Sequence, residues 1–157
     1  RKVAHLFPGI ILVHDQAEIQ AALKVDLRWH TIHPPELTGN GNFEVRNSRA
    51  ALAAKVLALD GKPLSFTTGH HEYKPPYHLT RQGDPLVQDY EPFVKISTEG
   101  RSLSILSLFA VTGNKGALPV WIETGDGWLI RLDGQRYTVS EKNGIFRLTD
   151  GEREIMF

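Results

Sequence analysis

The sequence contains no cysteine, which removes disulfide bridges and thiolate metal sites and leaves the fold to be held by its core. It carries no excess of charge either: 18 Lys and Arg stand against 18 Asp and Glu. A dedicated nucleic-acid binder carries a clear positive surplus, so no nucleic-acid partner is expected. An anionic ligand would have to be drawn by a local cluster rather than by the field of the whole molecule. No apolar run approaches the roughly 20 residues of a membrane-spanning helix, and no membrane partner is expected. Low-complexity tracts, charge runs and repeats of solenoid period are absent. So are the glycine-rich phosphate loop, the Gly-x-Ser-x-Gly elbow and the His-Glu-x-x-His helix. The first residue is Arg1, with no initiator methionine and no signal peptide. The numbering is therefore expected to begin inside a longer polypeptide.

What is present fits one β domain. With 157 residues, 41% hydrophobic and 23% charged, the chain is long enough to bury a core without staples. The dominant signal is short apolar, β-branched or aromatic runs separated by turn chemistry. Residues 2–7 and 10–13 read as strands joined across Pro8-Gly9. Residues 15–23 are the only helix-like stretch, brief enough to be a strand with a bulge instead. Residues 24–30 alternate cleanly, with Val25, Leu27 and Trp29 on one face and Lys24, Asp26, Arg28 and His30 on the other. Pro34-Pro35 ends that strand, because proline cannot donate to a ladder. The stretch from Thr38 to Asn42 is a turn, after which Phe43 and Val45 alternate with polar neighbours.

Residues 50–59 have the alanines of a helix but close on Asp60-Gly61 among strands, so a strand is predicted. Residues 64–68, 93–98 and 102–111 follow as strands, the last apolar enough to be central. In the final third, strand-length runs at 120–123, 128–132, 136–140, 145–148 and 153–157 are separated by Asp126-Gly127, Asp133-Gly134, Asn143-Gly144 and Asp150-Gly151. These dipeptides tolerate the positive φ of tight hairpins, which makes a meander. The expected fold is all-β, an antiparallel two-sheet sandwich of about a dozen strands with a C-terminal meander and little or no helix.

Three constellations carry candidate chemistry. Asp26, Arg28 and His30 project from one strand face, followed by His33 and Glu36. A carboxylate beside a histidine can orient the ring or complete a metal site, and His30, His33 and Glu36 loosely match a cupin ligand set without its His-x-His core. The alternative is a solvated or interface-facing polar face. The second is residues 69–92, expected as a long irregular loop, with His70, His71, Tyr73, Lys74, Tyr77, His78 and Arg81. Interleaved rings and cations suit sugars, whose C–H faces stack on aromatics and whose acidic groups pair with Lys and Arg; the alternative is a solvated loop. In the third, His14-Asp15, the carboxylate is expected to bond nearby backbone amides. Trp29, Trp121 and Trp128 are expected in the core.

Several of these segments come in a familiar succession: Phe7-Pro-Gly-Ile-Ile-Leu-Val-His-Asp15, Leu27-Arg-Trp-His-Thr31, Pro35-Glu-Leu-Thr-Gly-Asn40, Phe43-Glu-Val-Arg-Asn47 and the alanine-rich run 50–57. Their order and spacing, over about a third of the chain, resemble the β-sandwich region of heparinase II/III-like polysaccharide lyases and are similar also to related alginate lyases. The resemblance implies the C-terminal β-sandwich of a larger bacterial, periplasmic or secreted enzyme with a helical toroid upstream. Such enzymes cleave uronic-acid polysaccharides by β-elimination, with Tyr and His groups carried mainly by the toroid and its interface. On this reading the domain alone is not catalytic and lines one wall of the cleft. It needs no cofactor itself, and its partners are the toroid and an acidic polysaccharide or oligosaccharide. The residues expected to bind substrate are those of the long loop, His70, His71, Tyr73, Lys74, Tyr77 and Arg81, chosen for their interleaved rings and cations. The family's W-x-x-H histidine, which in some members helps hold a structural zinc, matches His30, although here Trp29 directly precedes it. A carbohydrate-binding module without catalysis and, further off, a cupin-like metal enzyme are the other readings.

Overall fold

The computed structural model describes residues 1–157 apart from Pro76, His78, Asn114 and Lys115. The described residues form twelve strands and no helix. They are β1 (Lys2–Leu6), β2 (Ile10–His30), β3 (Glu36–Gly39), β4 (Asn42–Arg46), β5 (Ala50–Ala58), β6 (Ser65–Glu72), β7 (Tyr90–Gly113), β8 (Val120–Thr124), β9 (Gly127–Leu132), β10 (Gln135–Lys142), β11 (Ile145–Thr149) and β12 (Glu154–Met156). One antiparallel sheet runs β1-β2-β7-β5-β4-β3, with β6 also on β7; the second is the meander β12-β11-β10-β9-β8. The all-β, two-sheet expectation holds.

Turn chemistry sets the hairpins. Asn40-Gly41, Asp133-Gly134 and Asn143-Gly144 each supply two consecutive positive φ angles, the geometry of the two-residue turn whose twist matches the flanking strands. At the β8–β9 turn the loop residues are Gly125 and Asp126, and Gly127 already pairs with Thr124. Asp150 closes the last turn by accepting the backbone N–H groups of Glu152 and Arg153 at 3.1 and 2.7 Å.

One expectation from the sequence changes and one alternative is decided. Of the two readings of residues 15–23, a brief helix or a bulged strand, the strand holds: β2 continues through them, with its register against β7 shifting between Glu18 and Leu23, the signature of a bulge that bends a strand. The strands expected at 93–98 and 102–111 are one strand, β7, bent opposite that bulge around Gly100. The long β2–β7 ribbon therefore has two arms. The first, Ile10 to Glu18 against Ser102 to Ala110, is flanked by β1 and β5; the second, Leu23 to His30 against Phe93 to Gly100, is flanked by β6.

The bend explains two cores. Leu12, Leu106, Leu108 and Ala110 of the first arm pack with Ile130, Tyr137, Val139, Phe146 and Leu148 of the meander. The other face of that arm gives Val13, Ile105 and Phe109 to a second core, completed by Val94 and Ile96 of the second arm and by Phe43 and Val56. The first sheet thus turns its second arm back over its own first arm. Strands β5 and the C-terminal half of β7 are covered on both faces, so they read as apolar or alanine-rich runs rather than alternations. Trp121 and Trp128 pack against the first core and Trp29 against the second, all three half-buried.

Candidate functional site

The second arm, β2–β7–β6, has one face on the core and one toward solvent. Val25, Leu27 and Trp29 turn inward, and Lys24, Asp26, Arg28 and His30 turn out, as the alternation predicts. Strand pairing arranges the outward residues in rows: Asp26, Ser97 and Ser65; then Arg28, Lys95 and Thr67; then His30, Phe93 and Gly69; then Glu91 and His71. Rows two residues apart are separated by about 6.8 Å along a strand, so these four span roughly 20 Å.

Asp26 Oδ1 accepts a 2.6 Å hydrogen bond from Ser97 Oγ. That bond, aided by Lys95, Lys24 and Arg28, holds the Asp26 carboxyl below its usual range. Arg28 lies 3.9 Å from Asp26 and places its guanidinium carbon 5.3 Å from the centre of the Phe93 ring. His30 tilts against the other part of this cluster, with its ring 5.5 Å from Phe93 and Nδ1 3.0 Å from Glu91. The Phe93 ring lies on Gly69, so closely that a Cβ there would stand 2.7 Å from Cζ. A cross-strand aromatic covering a bare glycine in this way stabilises the pair.

Residues 69–92, expected as one irregular loop, are partly strand. Gly69 to Glu72 belong to β6 and Tyr90 to Pro92 to β7, which leaves 73–89 as the connection. Non-local pairing with β7 decides this, since a Gly-His-His-Glu stretch has little strand propensity of its own. His70 and His71 consequently face opposite ways. His71 joins Tyr73, Lys74, Tyr77 and Leu86 around an open hollow of about 560 Å³. His70 meets the Tyr90 ring at 5.5 Å and lines a separate hollow of about 500 Å³ with Pro34, Pro35 and Pro92. Arg81 is exposed in the turn closed by Thr80 and Asp84, and it is not among the residues lining either hollow. His78 lies outside the described residues.

The first constellation is also divided. His30 and His33 border a shallow, mostly apolar groove of about 270 Å³ with Ile32, Val45, Leu52 and Val111. Glu36 stands on β3 opposite Glu44 and is exposed. Among the described residues, no three His, Asp or Glu side chains gather as a metal site. His30 and Glu91 offer two groups where a structural zinc takes about four.

His14 and Asp15 split across the two cores. His14 is buried against the meander, with Nε2 2.8 Å from Ser104 Oγ, its ring edge-on to Phe146 at 4.8 Å, and Nδ1 buried without a hydrogen-bond partner. Burial, with Lys2 next in effect, lowers its pKa. Asp15 does not bond backbone amides as expected. Its carboxylate takes Arg1 Nε at 2.6 Å and Nη2 at 3.1 Å, and that guanidinium sits 5.0 Å from the centre of the Trp29 ring. The bend brings Trp29 back over the first arm, against Phe109, and Arg1 spans from Asp15 to that ring.

Glu91, Phe93 and Lys95 were not singled out in the sequence. Their alternation with Pro92, Val94 and Ile96 was there to be read, but which strand they would face was not. Compared with known proteins, the chain matches no protein-family model and no curated protein.

Proposed function

We propose that this chain is the accessory β-sandwich of a polysaccharide lyase acting on uronic-acid polymers by β-elimination, and that it lines one wall of the substrate cleft. The observation that carries the reading is the motif succession from Phe7 to Asn47. The ends of strands 24–30, 42–46 and 50–58 meet at the groove bordered by His30, Val45 and Leu52. Elimination needs the uronate carboxylate neutralised, a base for the C5 proton and an acid for the leaving oxygen. An accessory wall supplies the first requirement and orientation. The proton transfers fall to groups on an upstream helical toroid.

The test is the longer polypeptide that carries this domain. It should release unsaturated uronate from an acidic polysaccharide, read as ultraviolet absorbance, while the 157-residue chain alone releases none. Absence of such product from the longer polypeptide across alginate, heparin and other uronate polymers sinks the reading. A second reading, a carbohydrate-binding module without catalysis, is favoured by the hollow that His71, Tyr73, Lys74 and Tyr77 line with Leu86. The two part on whether the longer polypeptide cleaves what the domain binds.

A further inference from the structure

Arg28 and Lys95 stand directly opposite each other across the β2–β7 pair, and both point to solvent. Like charges in that position destabilise a sheet, so their juxtaposition calls for a reason. Internal carboxylates supply it only in part. Asp26 is one carboxylate against two opposed cations; its Oδ1 accepts from Ser97 at 2.6 Å and its Oδ2 reaches Arg28 at 3.9 Å. Lys95 has no ion pair or hydrogen bond among the described residues, and its other cross-strand neighbour is Thr67, a neutral hydroxyl. Meanwhile Phe93 holds the Arg28 guanidinium against its ring. Stacking of this kind leaves the N–H edge free for two parallel hydrogen bonds to a carboxylate or sulfate.

We propose that Arg28 and Lys95 form a two-cation subsite for the acidic group of an anionic oligosaccharide lying along the outward face of β2, β7 and β6. The ligand class rests on the polysaccharide reading above; the choice of residues does not. The surroundings favour a sugar over a nucleic acid. Asp26 flanks the cation pair on one side and Glu91 on the other, one and two rows away. Duplex DNA, with a charge every 1.7 Å or so, would meet both carboxylates. A sugar chain carries one acid per residue or fewer and presents hydroxyl donors between them, which Asp26, Glu91 and Thr67 can accept. Such a chain, extended along the strands from this pair, passes next over the row of His30 and then toward His71 and the hollow at Lys74.

Affinity electrophoresis of the whole chain at low ionic strength tests this with three probes: an oligouronate, a sulfated glycosaminoglycan oligosaccharide and a neutral oligosaccharide. The acidic probes should retard the chain and the neutral one should not. Arg28→Ala and Lys95→Ala should each weaken retardation about tenfold or more, the scale of a lost charge-assisted hydrogen bond. Arg131→Ala, an exposed cation on the meander, should leave it unchanged. Preference between the two acidic probes tells carboxylate from sulfate. Thermal unfolding guards against misfolding: Lys95→Ala relieves the opposed charges and should leave the midpoint unchanged or higher. Retardation that survives both substitutions overturns the subsite while leaving an acidic ligand standing. Equal retardation by the neutral probe removes the ligand class instead, and no retardation of the unmodified chain by either acidic probe overturns the subsite.

Discussion

Replacing Phe146 with alanine tests whether the meander is locked to the first sheet through the contacts described above. Phe146 is 0% exposed, lies edge-on to His14 of β2 at 4.8 Å and stacks on Phe157 at 5.5 Å. Its backbone exchanges two hydrogen bonds with Phe157. Truncating a buried phenylalanine costs about 3–5 kcal/mol, from lost transfer free energy plus the cavity left behind. Total stabilities are about 5–15 kcal/mol, so this one change should remove a large share. For a chain of this size it corresponds to a fall of roughly 6–20 °C in the thermal midpoint. The neighbouring residue is the control. Ile145 is 55% exposed, and Ile145→Ala should stay within about 0.5 kcal/mol of the parent. Urea unfolding followed by tryptophan fluorescence, with Trp121 and Trp128 in the meander and Trp29 in the second core, reads both variants. If Phe146→Ala shifts stability by less than about 1 kcal/mol, or no more than Ile145→Ala, the packing reasoning fails.

Two further outcomes follow from local geometry. His14 is held below its ordinary pKa of 6.5 by burial and then by Lys2, which outweigh the opposing effects of Asp15 and Glu141. The unfolded chain therefore binds that proton more tightly. The stabilising contribution is full above about 6.5 and is lost as pH falls from there through the folded value. His14→Leu should flatten the slope of stability between neutral and mildly acidic pH in urea titrations, and an unaltered slope would show that His14 does not carry it. Gly127 has φ +148, and a Cβ there would stand 2.0 Å from the Val139 carbonyl oxygen. Gly127→Ala should cost on the order of 3 kcal/mol, whereas Gly125→Ala, with open space around it, should cost little. Equal unfolding midpoints for the two would contradict the close approach of β9 to β10 at Gly127 and Ser140.

Some of this molecule is written in short stretches of chain. The Asn-Gly and Asp-Gly turns need only their own backbone freedom, so the meander hairpins could be placed without knowing what they pack against. The period-two pattern of 24–30 likewise fixed which of its residues face water. Asp26, Arg28 and His30 were legible as a shared outward face for that reason. The His70 to Arg81 segment was not legible as a site, because composition alone did not separate His71, on the outward face, from His70, behind it.

Local pattern determined where strands and turns lie, and which side of each strand is apolar, because those depend on backbone sterics and on alternation two residues at a time. Only the tertiary structure decided that 10–30 and 90–113 are single bent strands, that β6 lies on the lower half of β7, and that Lys95 faces Arg28. Those pairings join residues far apart in the chain, Asp26 and Ser97 being separated by 71 positions. Such a register is chosen by the burial of both cores together, and no window of sequence contains that sum.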